Sequence, residues 1–238
     1  MPQTLEDLLM TRPPTADRPL LGVMILVVED SRFASDAIRL ICQRSGARIR
    51  RAESLASATR HLRSYRPRIA IVDLGLPDGS GLSLISQLAR SDPRIDGIIA
   101  TSGDDTQAAA AMEAGADIFL PKPLSSVSAF QSTVLGLLPL DSHPPRVTFP
   151  LDDRVDPDPI ALRDDLALAV DLLRGDPDRR TTDYLAAFLK SLATTSGDAS
   201  LAELGETVAV LHSTKAGMVT PRRIAAVIED RIGALAAV

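Results

Sequence analysis

Four short apolar runs in this chain lead straight into residues able to do chemistry. Residues 23–28 lead into Glu29 and Asp30, residues 69–72 into Asp73, residues 95–100 into Thr101, and residues 116–120 into Pro121-Lys122-Pro123. Brought side by side, three carboxylates would repel one another. An oxygen-rich acidic pocket of that kind suits Mg2+, held by few protein ligands and keeping several waters. Glu29, Asp30 and Asp73 would supply the carboxylates, and Gly75 a backbone carbonyl. An ionised Asp73 beside such a metal is a nucleophile toward phosphorus, giving an aspartyl phosphate. Phosphoryl transfer then needs charge neutralised on three equatorial oxygens. The metal would take one, Lys122 a second, and the Thr101 hydroxyl with a loop N–H a third.

Taken singly, each residue has a plainer reading. Asp73 caps a turn, Glu29 and Asp30 cap the helix that follows, Thr101 is an ordinary turn hydroxyl, and Lys122 is a solvated surface lysine. Their recurrence at strand ends carries the chemistry, because loops at the carboxyl ends of an open parallel sheet form a crevice. An aspartyl-phosphate phosphatase would share the nucleophile but needs a second carboxylate two residues on. That position is Gly75, so the general acid is missing.

The elements that must position these residues alternate regularly. Strands are expected over residues 23–28, 47–52, 69–73, 95–101 and 116–120, the second more exposed than the rest. Phe33, Ala37, Ile38, Ile41 and Cys42 recur at helical spacing up to Gly46, and helices follow over 54–65, 81–90, 104–114 and 125–138. The Pro/Asp/Gly/Ser cluster after Asp73 reads as a loop. Strict alternation implies an α/β fold, a doubly wound five-stranded parallel sheet. The flavodoxin-like order 2-1-3-4-5 is the common solution at this size and makes the first and third strands neighbours.

Residues 1–22 read as a leader, 23–138 as the α/β domain, and 139–159 as a Pro-rich linker in which Val147, Phe149 and Leu151 alternate as an edge strand would. Residues 160–238 hold four amphipathic helices and suggest a small all-α bundle.

With 238 residues there is room for one ordinary domain and a smaller one. Aromatics make up 3% of the chain, with no Trp, which argues against a stacking platform for single-stranded nucleic acid. The net charge of −5 lies wholly in residues 151–238, which hold 10 basic and 15 acidic side chains. Binding to nucleic acid needs the opposite bias. The lone Cys42 reads as a buried core residue. No basic start precedes an apolar core, and residues 20–28 are too short to span a bilayer, so no membrane association and a cytoplasmic location are expected.

The acidic pair Glu29-Asp30, Asp73 within Asp-Leu-Gly-Leu-Pro-Asp-Gly-Ser-Gly, Thr101-Ser102, and residues 115–123 (Gly-Ala-Asp-Ile-Phe-Leu-Pro-Lys-Pro) occur in this order, each at a strand end. With them the chain resembles the receiver domain of bacterial two-component response regulators over about residues 23–138. The resemblance implies that Asp73 accepts phosphate from a phosphohistidine on a partner histidine kinase or phosphotransfer protein, with Mg2+. It further implies that Thr101 and Phe119 relay the change, the hydroxyl moving toward the phosphoryl group and the ring turning inward. The readout surface would be the fourth helix, fifth strand and fifth helix. Taken alone, Phe119 is an ordinary core residue at a strand end. No departure from the phosphorylation set is visible, and turnover of an external substrate is not expected.

In the tail, His212 stands in Val-Leu-His-Ser-Thr-Lys-Ala-Gly. Histidine-phosphotransfer domains carry a Lys three residues after the His, and Lys215 matches this. Thr214 stands where an apolar residue is usual, and the glycine is displaced to Gly217. His212 flanks the stripe of Leu204 and Val208, so it reads as a histidine packed at the bundle edge, with phosphotransfer as the alternative. The bundle itself reads as an interaction or dimerisation module for an unknown output protein, or as a brace for the α/β domain.

Overall fold

Apart from Arg48–Ala52, the strands here are apolar on both sides, so the sheet they form must be covered on both faces. The computed structural model, which describes residues 13–148, 150, 153–211 and 220–236, shows such a sheet. Five parallel strands, β1 (Met24–Val28), β2 (Arg48–Ala52), β3 (Ile69–Asp73), β4 (Gly97–Ser102) and β5 (Ile118–Pro121), lie in the order β2-β1-β3-β4-β5. The helices between and after them are α1 (Arg32–Ser45), α2 (Leu55–Ser64), α3 (Gly81–Ala89), α4 (Ala108–Ala114) and α5 (Val127–Leu137). Alternate strand residues part to opposite faces. Ile25, Val27, Ile71 and Ile99 pack against α1 and α5, while Leu26, Val28, Val72 and Ala100 pack against α2, α3 and α4. This is the flavodoxin-like doubly wound fold.

Register places the chemistry. Val28 pairs with Val72, and Asp73 with Thr101, so the acidic pair after β1, the aspartate ending β3 and the hydroxyl near the end of β4 stand side by side. The stretch after Asp73 is a miniature antiparallel hairpin, Gly75–Leu76 with Gly79–Ser80, rather than an irregular loop. Its Asp78 carboxylate accepts from the N–H groups of Leu55 and Ala56, capping α2 and tying the hairpin down. β4 and β5 both start two residues later than their apolar runs. Asp117 accounts for part of this, since its carboxylate accepts from Ile98 N–H and pairs with Arg94 before β5 begins. The helix expected from residue 104 opens as a 3-10 turn, Asp105–Gln107, with the Asp104 side chain accepting from Thr106 N–H.

The segments flanking the α/β unit are laid against it. Leu20 is fully buried and donates its N–H to Ser45, and Val155 is buried in the same core. Arg154 bridges to Ser126, and Thr148 donates to Ala16. The four later helices are α6 (Pro159–Arg174), α7 (Arg179–Ser196), α8 (Ala199–Ala209) and α9 (Pro221–Ala236). The Asp158, Asp178 and Asp198 side chains cap the first three. Leu166, Leu185, Leu189, Leu201 and Ile228 form their common core. His212 lies outside the described residues. Among the described residues no helix is long and apolar enough to cross a membrane.

Gly81 opens α3 directly against the end of β3. A Cβ there would sit 2.0 Å from the Asp73 carbonyl oxygen, whereas one on Gly75 would meet nothing within 4 Å. Gly81→Ala is expected to lower stability by about 2 kcal/mol or more, as overpacking against backbone does, and Gly75→Ala by less than about 0.5 kcal/mol. Denaturant midpoints of the two variants check this, and equal midpoints would refute it.

Candidate functional site

The site lies where β1, β3 and β5 end. One carboxylate oxygen from each of Glu29, Asp30 and Asp73 falls within 4.8 Å of the others. Lys122, carried past the end of β5, brings its Nζ to 2.7 Å from Glu29 Oε2 and 3.1 Å from Asp73 Oδ2. Glu29, Asp73 and Lys122 are all buried, so a surplus of negative charge is held away from water.

The protonation equilibria reflect this. Burial pushes Glu29 well above the usual carboxylate range, with Asp73 and Asp30 adding to the shift and Lys122 opposing it. Burial, and then the charge of Asp73, pushes Asp30 up to about 7. For Lys122, burial works against the ammonium, but Asp73 and Glu29 outweigh it and hold the group above the ordinary lysine range. Three convergent carboxylates are the donor set of a hard divalent cation, and the residues present fit one.

The remaining expected residues fall around this centre. Thr101 is fully buried beside Asp73, and its Oγ1 has no hydrogen-bond partner among the described residues. A hydroxyl left open there is free for an incoming oxygen. Ser102 is buried and its Oγ accepts from Asp104 N–H. Gly75 lines the cavity beside Asp73. Phe119 pairs with Ala100 in register and packs, half-buried, against the core on the α2–α4 side.

Sequence reasoning missed the second half of the site, which comes from the bundle. Tyr184 on α7 donates its hydroxyl to Asp30 Oδ2 at 2.5 Å. Ser191, on the same helix, receives a hydrogen bond from Lys122 Nζ at 3.2 Å. Asp165 on α6 is 1% exposed, and its carboxylate accepts from Ser31 Oγ and from the N–H groups of Arg32 and Phe33, at the N-terminus of α1. Burial raises the Asp165 carboxyl, against these hydrogen bonds. Phe33, on α1, is buried in the bundle core, an anchor of roughly 2 kcal/mol. One signal was available: Asp165 stands three residues after Leu162 and four before Ala169, a carboxylate set on an apolar stripe.

Residues 25–132 match the family model described as the response regulator receiver domain. Over 100 residues the chain is 37% identical to the virulence transcriptional regulatory protein PhoP of Salmonella typhimurium (strain 14028s / SGSC 2262), and 36% identical over 100 residues to the transcriptional regulatory protein PhoP of Escherichia coli O157:H7. Each alignment takes in 42% of this chain and 45% of the relative, so the chain spans less than half the length of the curated relatives it matches. A putative response regulator from Chloroflexus aurantiacus aligns with a TM-score of 0.46 and 24% identity, over 48% of this chain and 96% of that one. A response regulator from Burkholderia pseudomallei, solved with a phosphorylated aspartic acid, calcium ion and citrate, aligns with a TM-score of 0.41 and 28% identity, over 50% and 68%. The family match ends before α6 begins.

Asp30 titrates at about 7 folded against 3.8 for the ordinary carboxyl. Between these values the folded protein holds a proton that the unfolded chain has released. Its contribution to stability is therefore full below the lower value and is lost as pH rises through the upper one. The metal-free protein is expected to melt at a lower temperature at about pH 8 than at about pH 6. A divalent cation should raise the melting temperature more at the higher pH, and Asp30→Asn should shrink that difference, leaving the part that Glu29 contributes. Melting curves at both pH values, with and without the cation, check this.

Proposed function

We propose that this chain, residues 25–132 of which are a response regulator receiver domain, is a phosphorylation-dependent switch of a two-component system, with Asp73 as the phosphoacceptor. The observation that carries the reading is the Lys122 ammonium 3.1 Å from Asp73 Oδ2, inside a pocket shared with Glu29 and Asp30. The donor is a phosphohistidine on a partner kinase or phosphotransfer protein. An Asp73 carboxylate oxygen forms the new O–P bond as the P–N bond breaks, and the electron pair goes to the ring nitrogen of the departing imidazole, which leaves neutral because its other nitrogen keeps its proton. Lys122 lies where it neutralises one equatorial oxygen, and the open Thr101 hydroxyl can donate to another. Mg2+, held by Glu29, Asp30, Asp73 and the Gly75 carbonyl, would supply the remaining charge neutralisation.

The domain accepts a phosphoryl group as a signal and is not proposed to turn over an external substrate. The relatives named above are transcriptional regulators, but what is shared with them is the receiver portion. The unmatched part of this chain is acidic, with 15 acidic against 10 basic side chains in residues 151–238, which favours a protein as the output partner over nucleic acid. The same reading places the chain in the cytoplasm. Thr101 and Phe119 would relay phosphorylation to α4, β5 and α5.

Incubation with phosphoramidate and Mg2+ is expected to add one phosphoryl group, read by intact mass, that hydroxylamine removes. Asp73→Asn should abolish the addition and chelation of the metal should prevent it. Undiminished, acid-stable labelling of Asp73→Asn would sink the assignment.

A further inference from the structure

Helix α7 crosses the mouth of the site. Tyr184, Phe188 and Ser191 stand at i, i+4 and i+7, so two turns present one face, about 10 Å long, to the α/β unit. Tyr184 at one end holds Asp30, Ser191 at the other holds Lys122, and Asp73 lies between them, 4% exposed. Burial, and then the Asp30 carboxylate, pushes the Tyr184 phenol upward, so it stays a donor. The cavity left beneath α7 has a volume of about 440 Å³; Asp30, Asp73 and Gly75 line it from below, and Ala187, Phe188 and Ser191 from above. Any phosphoryl donor must bring its leaving group in opposite the attacking carboxylate oxygen, and residues of α7 roof the space above Asp73.

We propose that the bundle is a built-in gate: α7, latched by Tyr184 to Asp30 and by Ser191 to Lys122, closes over Asp73 and must lift before the phosphoryl group can be delivered. Asp165 and Phe33 are the hinge side of the same contact. Asp165 caps α1 from the bundle, and Phe33 enters the bundle core from α1. The two groups that α7 engages are the ones phosphoryl transfer needs free, so closing and transfer exclude each other. The gate rests on the phosphoacceptor reading of Asp73.

A reversible lock tests it on the full chain. A Cβ on Gly103 would lie 3.5 Å from the Ser191 Cβ, within disulfide range, and the native Cys42 is buried. Oxidised Gly103→Cys/Ser191→Cys is expected to be labelled by phosphoramidate with Mg2+ at least about ten-fold more slowly than the same protein after reduction, because the open population is removed. Tyr184→Phe, which drops one latch, should be labelled several-fold faster than the parent chain. Independently of labelling, Mg2+ with beryllofluoride should slow disulfide formation between the two introduced cysteines. Labelling that ignores the disulfide, a Tyr184→Phe no faster than its parent, or cross-linking no slower with beryllofluoride would each overturn the gate alone. Failure to label the parent chain and the reduced variant alike would overturn the phosphoacceptor reading, and the gate with it.

Discussion

Three carboxylates meet one ammonium at the carboxyl end of the sheet, with Glu29, Asp73 and Lys122 buried and Asp30 half-buried. Their excess negative charge is the constraint to which the surrounding structure conforms. An unpaired buried carboxylate is expensive, and breaking a buried pair strands the partner. Lys122 therefore sits between Glu29 and Asp73 rather than extending to solvent. Asp30, left without the lysine, takes its hydrogen bond from Tyr184. The arrangement satisfies geometry while leaving charge unbalanced, which suits a site for a divalent cation.

The sheet makes this clustering unavoidable once its order is set. With β1 and β3 adjacent, and β4 paired to β3 through Asp73 and Thr101, the acidic residues meet at one end of the sheet. The hairpin after Asp73, capped onto α2 through Asp78, and Gly81 packed on the Asp73 carbonyl hold the end of β3 still. The end of β3 is thus fixed within its own unit, and the bundle is packed over it through Tyr184 and Ser191.

The bundle docks by two means of different character. Asp165 at the N-terminus of α1 satisfies backbone N–H groups that would otherwise lack partners, a directional contact that sets the angle of approach. Phe33 supplies non-directional apolar burial. The Arg32–Asp164 pair at the rim is largely exposed and adds little. The surface so covered includes α1 and the mouth of the site.

By itself the sequence determined the elements and the chemistry of the strand ends. Period-two and period-3.6 patterns are local, and each reactive residue sits at the end of an apolar run that buries itself. From them the five strands, the four tail helices and the gathering of Glu29, Asp30, Asp73, Thr101 and Lys122 could all be read. Strand starts shifted by two residues where Asp117 competes for backbone N–H groups, a contact that hydropathy does not register. Only the tertiary structure decided where the bundle goes. Tyr184, Ser191 and Asp165 contact residues 154, 69 and 134 positions away, and no local pattern encodes a partner at that distance. A tyrosine on an apolar stripe looks like core until the surface opposite it is known, and here that surface is the Asp30 carboxylate.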